Sequence, residues 1–143
     1  MKCDLMAGLG VICDRYGIDA LYVFGSRALE IASLIRSGQP SIGEALSDVD
    51  IGVLPKRGIV VDPRAKVRLM AELEDLLGVG RIDLVSLPEA SPFLAVEIIR
   101  GELLYEADLD RTAVYELFVL RRAADLAPFE RERVRGVLAG VAT

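Results

Sequence analysis

Three short β-rich apolar runs, residues 20–24 (ALYVF), 49–54 (VDIGVL) and 81–87 (RIDLVSL), are separated by segments of helical periodicity. That alternation constrains the fold more than any other feature. Runs this short and this apolar read as core strands, and strands that alternate with amphipathic helices pack as a layered α/β domain. At 143 residues, 52% of them apolar, the chain can bury one sizeable core and has no room for a second large domain.

The intervening segments carry start and stop signals. Leu5, Leu9, Ile12 and Tyr16 fall four, three and four apart between Asp4 and Gly17, which predicts a helix over residues 4–16. Helical spacing also covers 28–35, followed by a turn-rich break at 37–41 and a short stretch that ends at Ser47. Val67, Met70, Leu73, Leu76 and Leu77 mark a helix over 63–77, stopped by Gly78 and Gly80. Ser91-Pro92 pairs an N-cap with proline at the first helical position and opens a helix through Arg100, ended by Gly101. Residues 102–106 (ELLYE) fit either an edge strand or an extended tail. A helix over 110–126 carries Val114, Leu117, Phe118 and Arg121 on a narrow stripe, and Pro128 is expected to break it. That stripe suits packing onto the domain's own core or contact with a partner.

Several function classes are excluded by composition. The chain has no histidine, so Ser–His and Cys–His catalysis and histidine-ligated metals are ruled out within it. Cys3 and Cys13 lie ten positions apart in one predicted helix, about 15 Å at the helical rise, beyond disulfide reach. Both read as small apolar fillers in a reducing compartment. With 17 basic and 22 acidic side chains the net charge is −5, so no global positive field attracts nucleic acid. No apolar run approaches the ~18–20 residues of a membrane span, and the first residues lack the pattern of an export signal. A cytoplasmic protein with no membrane partner is expected.

The remaining chemistry concentrates at three places. Asp48 and Asp50 are two apart at the start of a strand, so their carboxylates share one face. Asp83 stands between Ile82 and Leu84 in the next strand, a poor place for a charge unless something cationic compensates it. Like charges held close repel unless a cation sits between them, and an all-oxygen donor set selects Mg²⁺ or Mn²⁺. Gly25-Ser26 closes the first strand and opens a helix, where backbone N–H groups and a hydroxyl favour an anion. Arg64, Lys66 and Arg68 fit a solvated basic face or an aid to a triphosphate.

In that order, VFGSRA (residues 23–28), SDVDIGVL (47–54) and IDLVSL (82–87) resemble the minimal nucleotidyltransferases of the DNA polymerase β superfamily, the group that includes the MntA-type antitoxins. The likeness runs over about residues 21–106. It implies a polymerase-β-like α/β (α+β) fold: a small mixed sheet flanked by helices as a nucleotidyltransferase domain over 1–106, with 107–143 a C-terminal helical extension packed on the same domain. It also implies a site in which Asp48 and Asp50 bridge two Mg²⁺ ions (or Mn²⁺) and Asp83 binds one ion and helps deprotonate the attacking hydroxyl. Gly25 and Ser26, with Arg27 beside them, would bind the nucleotide, the first two holding its β,γ-phosphates. The implied activity is transfer of AMP from ATP to a hydroxyl of a partner protein, a cognate HEPN-type toxin, in a homo-dimer or hetero-oligomer. One departure is that Ser26 and Asp48 stand 22 positions apart, about twice the interval associated with the family, so that roughly residues 31–45 form a longer helix and loop over the site. Two other readings stay open: a binding module that neutralises a partner by contact alone, and a small-molecule nucleotidyltransferase whose acceptor pocket a second chain completes.

Overall fold

Strands β1 (Ile18–Phe24), β2 (Asp48–Pro55), β3 (Arg81–Ser86) and β4 (Glu102–Glu106) form one mixed sheet in the order β3-β2-β1-β4. β1 is antiparallel to both β2 and β4, whereas β3 runs parallel to β2. The computed structural model describes residues 5–38 and 48–142. Its helices are α1 (Leu5–Tyr16), α2 (Ala28–Ser37), α3 (Pro63–Leu77), α4 (Pro92–Ile99) and α5 (Leu109–Ala142), with a 3₁₀ turn at Leu87–Glu89.

Local chemistry sets the boundaries. The Asp62 carboxylate accepts the Ala65 N–H at 2.8 Å and Pro63 follows it, so α3 begins there. Ser91 Oγ accepts the Leu94 N–H at 3.3 Å and opens α4 in the same way. A parallel β2-β3 pair needs a crossover, and α3 is that crossover.

The sheet carries a core on each face. Leu21, Val23, Val49, Ile51, Val53, Ile82 and Leu84 point into the larger core with residues of α1, α2 and α3. Ala20, Tyr22, Phe24 and Leu54 point the other way, onto Ala95 and Ile98 of α4 and Val119 of α5. Strand alternation therefore assigns Asp48, Asp50 and Asp83 to the face covered by α4 and α5.

The first turns of α5 lock onto the sheet. Thr112 and Val119 are buried, the Tyr22 hydroxyl donates to Glu116 Oε1 at 2.8 Å, and Arg111 donates to Asp19 Oδ2 at 2.7 Å and to the Pro55 carbonyl at 3.0 Å. The anticipated stripe faces outward instead: Val114, Leu117 and Phe118 are exposed, as are Leu126 and Phe129 further along.

The structure corrects the expected break at Pro128, because α5 runs through it to Ala142. Proline removes one donor and crowds the carbonyl four residues back. Here that carbonyl belongs to exposed Ala124, where water can take the place of the lost hydrogen bond. β1 also begins two residues before the expected apolar run, at Ile18, and buries Asp19 against Arg111. Residues 102–106 form a true edge strand on β1. Cys13 is buried as a free thiol, and burial pushes its pKa up to about 12. Cys3 and residues 39–47, most of the second half of the expected insertion, lie outside the described residues; α2 accounts for its first half up to Ser37.

Candidate active site

The sheet register builds the site. Phe24 of β1 pairs with Asp50 of β2, and Asp50 pairs with Asp83 of β3, so the three form a row across neighbouring strands on one face. Asp48, opposite Arg81, lies two residues back on that same face at the start of β2. The three carboxylates come together at the end of the sheet where β1 stops and β2 and β3 begin.

Asp50 takes the strongest consequence. Burial first, then the charges of Asp83 and Asp48, push its carboxyl above the ordinary carboxylate value. Asp83 leans on Arg81, whose Nη2 stands 3.3 Å from its Oδ1 in a largely exposed pair. Among the described residues no three acidic or sulfur side chains are already gathered at metal-ligating distance. The donor set nevertheless fits a hard divalent cation: oxygens only, mutually repelling, with Asp48 exposed and Asp50 and Asp83 partly so.

Beyond Phe24 the chain turns sharply. Gly25 has φ +97°, and a Cβ there would meet Asp50 Oδ2 at 2.9 Å, so the turn presses its bare backbone against the central carboxylate. Ser26 is exposed beside it, and α2 starts at Ala28 with no side-chain hydrogen bond capping its first turn. The Ala28 N–H closes the turn onto the Gly25 carbonyl at 3.2 Å, which leaves the N–H groups of Leu29 and Glu30 for an anion at the start of α2. Arg27 is already engaged: its Nε and Nη2 donate to the two Glu30 oxygens at 3.1 and 2.9 Å.

A cavity of about 530 Å³ opens on the other side of the turn, lined by Gly25, Ser26, Leu29, Glu97, Arg100 and Glu102 among others. It does not include the carboxylates; it adjoins them through Gly25. The sequence singles out Gly25 and Ser26 here, whereas Glu97 and Arg100 fall without distinction inside the helix expected through Arg100. The basic group Arg64, Lys66 and Arg68 opens α3 beyond the far end of β2, away from Asp48, and so stands apart from the site.

A strand–turn–helix feeding two carboxylates on the antiparallel neighbour, with a third on the parallel strand beyond, defines a nucleotidyltransferase fold. The family model of the polymerase β nucleotidyltransferases matches residues 9–110, and the chain belongs to that family. No curated protein sequence matches it significantly. Among solved structures, it is similar to a chain of the MntA–HepT toxin–antitoxin complex (18% identity, 94% of this chain and 97% of that one, TM-score 0.67). It is also similar to one of a toxin–antitoxin with AMP-PNP (19%, 93% and 98%, TM-score 0.68). A third is from the complex of a tri-AMPylated HEPN toxin of Shewanella oneidensis with its MNT antitoxin (18%, 96% and 99%, TM-score 0.68). At these identities the likeness is one of fold. No described helix is long and apolar enough to cross a membrane.

Proposed function

We propose that this chain is a divalent-cation-dependent nucleotidyltransferase that moves AMP from ATP onto a hydroxyl of a partner protein, acting in the cytoplasm as the antitoxin of a HEPN-type toxin. The observation that carries the reading is the row of Asp50 and Asp83 in register on adjacent strands, with Asp48 two residues back and the Gly25 backbone against Asp50.

In this reading Asp48 and Asp50 hold two Mg²⁺ ions, or Mn²⁺, with Asp83 as a further ligand. Such ions, when bound, neutralise charge at the α-phosphorus and on the departing pyrophosphate. Gly25 and Ser26 hold the β,γ-phosphates at the start of α2, with Arg27 flanking the turn. An Asp83 oxygen draws the proton from the acceptor hydroxyl as its oxygen bonds to the α-phosphorus and the bond to the β-phosphate oxygen breaks. The exposed apolar residues of α5 offer the partner a docking face.

The test is incubation with Mg²⁺ and α-labelled ATP in host lysate, beside the Asp48→Asn/Asp50→Asn double variant. Label on a protein band that the variant loses supports the reading; equal labelling by both overturns it. The outward apolar face of α5 favours one alternative, neutralisation by contact alone. That reading requires the double variant to protect the host as well as wild type does.

A further inference from the structure

We propose that Arg100 is a polyphosphate-binding cation of this site, reaching the far end of the nucleotide's triphosphate from the turn between α4 and β4. The inference rests on the nucleotidyl-transfer reading and adds a residue to it.

The first ground is placement. Gly101 lies so close to β1 that a Cβ on it would meet the Val23 carbonyl at 2.3 Å and Phe24 at 3.0 Å. Only a residue without a side chain permits that approach, which seats the α4–β4 turn on the end of β1, immediately before Gly25 and Ser26. Arg100, the C-cap of α4, is thereby carried into the wall of the 530 Å³ cavity that Gly25 and Ser26 share.

The second ground is availability. Arg27 is bound through two hydrogen bonds to Glu30, Arg36 pairs with Glu102 at 3.6 Å, and Arg81 pairs with Asp83. Arg100 is exposed and, among the described residues, makes no ion pair or side-chain hydrogen bond, although Glu97 stands one turn before it on the same helix and lines the same cavity. It is the lining arginine with no carboxylate to give up on meeting a phosphate, and its planar fork suits phosphate oxygens. A chain of net charge −5 needs such a local cation to receive a polyanion.

Calorimetric titration with Mg-tripolyphosphate, MgATP and AMP tests this on the full chain. Arg100→Ala is expected to weaken the first two by about tenfold or more and AMP by about twofold or less, with Arg100→Lys recovering part of the loss. Arg64→Ala, which removes the same charge at the far end of α3, is expected to bind as wild type. If Arg100→Ala and Arg100→Gln bind tripolyphosphate and ATP as wild type does, the inference falls and the transfer reading stands. If wild type binds none of the three ligands, the transfer reading falls and takes the inference with it.

Discussion

Gly25 and Asp50 are held so close that a single methyl group on the glycine would stand 2.9 Å from the carboxylate oxygen. Register explains it, since Phe24, the residue before the glycine, is the cross-strand partner of Asp50. The turn and the central carboxylate are thus set relative to each other by sheet hydrogen bonds. Gly25→Ala would meet both that oxygen and a backbone at φ +97°, where L-residues are strained. The expected loss is about 1–3 kcal/mol of stability. Label transfer should fall further than the shift in Tm accounts for; a variant that loses stability but transfers normally would contradict the arrangement.

Asp50 is half-buried beside two like charges. Asp50→Asn is expected to stabilise the fold in EDTA, by less than about 1 kcal/mol because the group is partly solvated, while ending label transfer. Added Mg²⁺ should raise the Tm of wild type and leave that of the variant nearly unchanged. Thermal melts with and without Mg²⁺ check both signs.

Tyr22 lies fully buried in β1 and donates to Glu116 of α5. Tyr22→Phe keeps the ring and strips the carboxylate of its donor, at a cost of about 1–3 kcal/mol. Loosening should concentrate in α5, read as faster amide exchange there than in β2.

Arg111 and Asp19 form the most buried ion pair among those described, and the same guanidinium satisfies the Pro55 carbonyl. Arg111→Met strands Asp19 and is expected to cost about 3–5 kcal/mol in urea unfolding. Asp19→Asn in the same chain should restore part of that stability.

Cys13 binds its proton more tightly folded than unfolded, with a pKa raised to about 12 from 9.0 by burial. Between those values the unfolded chain holds fewer protons, so its contribution to stability is intact below pH 9 and is lost as pH rises toward 12. In a Cys3→Ser background, Cys13→Ala should flatten the fall in Tm across that window, and the native thiol should resist disulfide reagents at pH 8 until the protein unfolds.

Apolar spacing made the helices and core strands legible, because the burial that stabilises each element is written into its own residues. What escaped the sequence depends on partners far along the chain. Asp19 interrupts an apolar run and argues for a later strand start, yet Arg111, 92 positions on, lets β1 include it. ELLYE became a strand only because β1 offers a free edge. Pro128 was overrated as a breaker because its cost depends on whether the orphaned carbonyl meets water. In the site, Asp48, Asp50 and Asp83 stand out in the sequence as charges beside apolar neighbours, and the register pairs Asp50 with Asp83 and sets Asp48 two residues back on the same face. Arg100 gave no local sign, since its position is set by the fit of Gly101 against Val23.

β3 is the edge of the sheet, so Asp83, the group proposed to take the acceptor's proton, sits on an outer strand with its side chain half-exposed. A rim of that kind sets little limit on the size of what approaches, and for the same reason it selects poorly among hydroxyls. In the proposed reaction, choice of acceptor would fall to tethering: a hydroxyl on a protein docked along α5 would meet the site at an effective concentration of about millimolar, far above that of free competitors in solution. The rate would be governed by the geometry of that attachment, and an acceptor cut loose from its docked partner would be a poor substrate even with its hydroxyl unchanged.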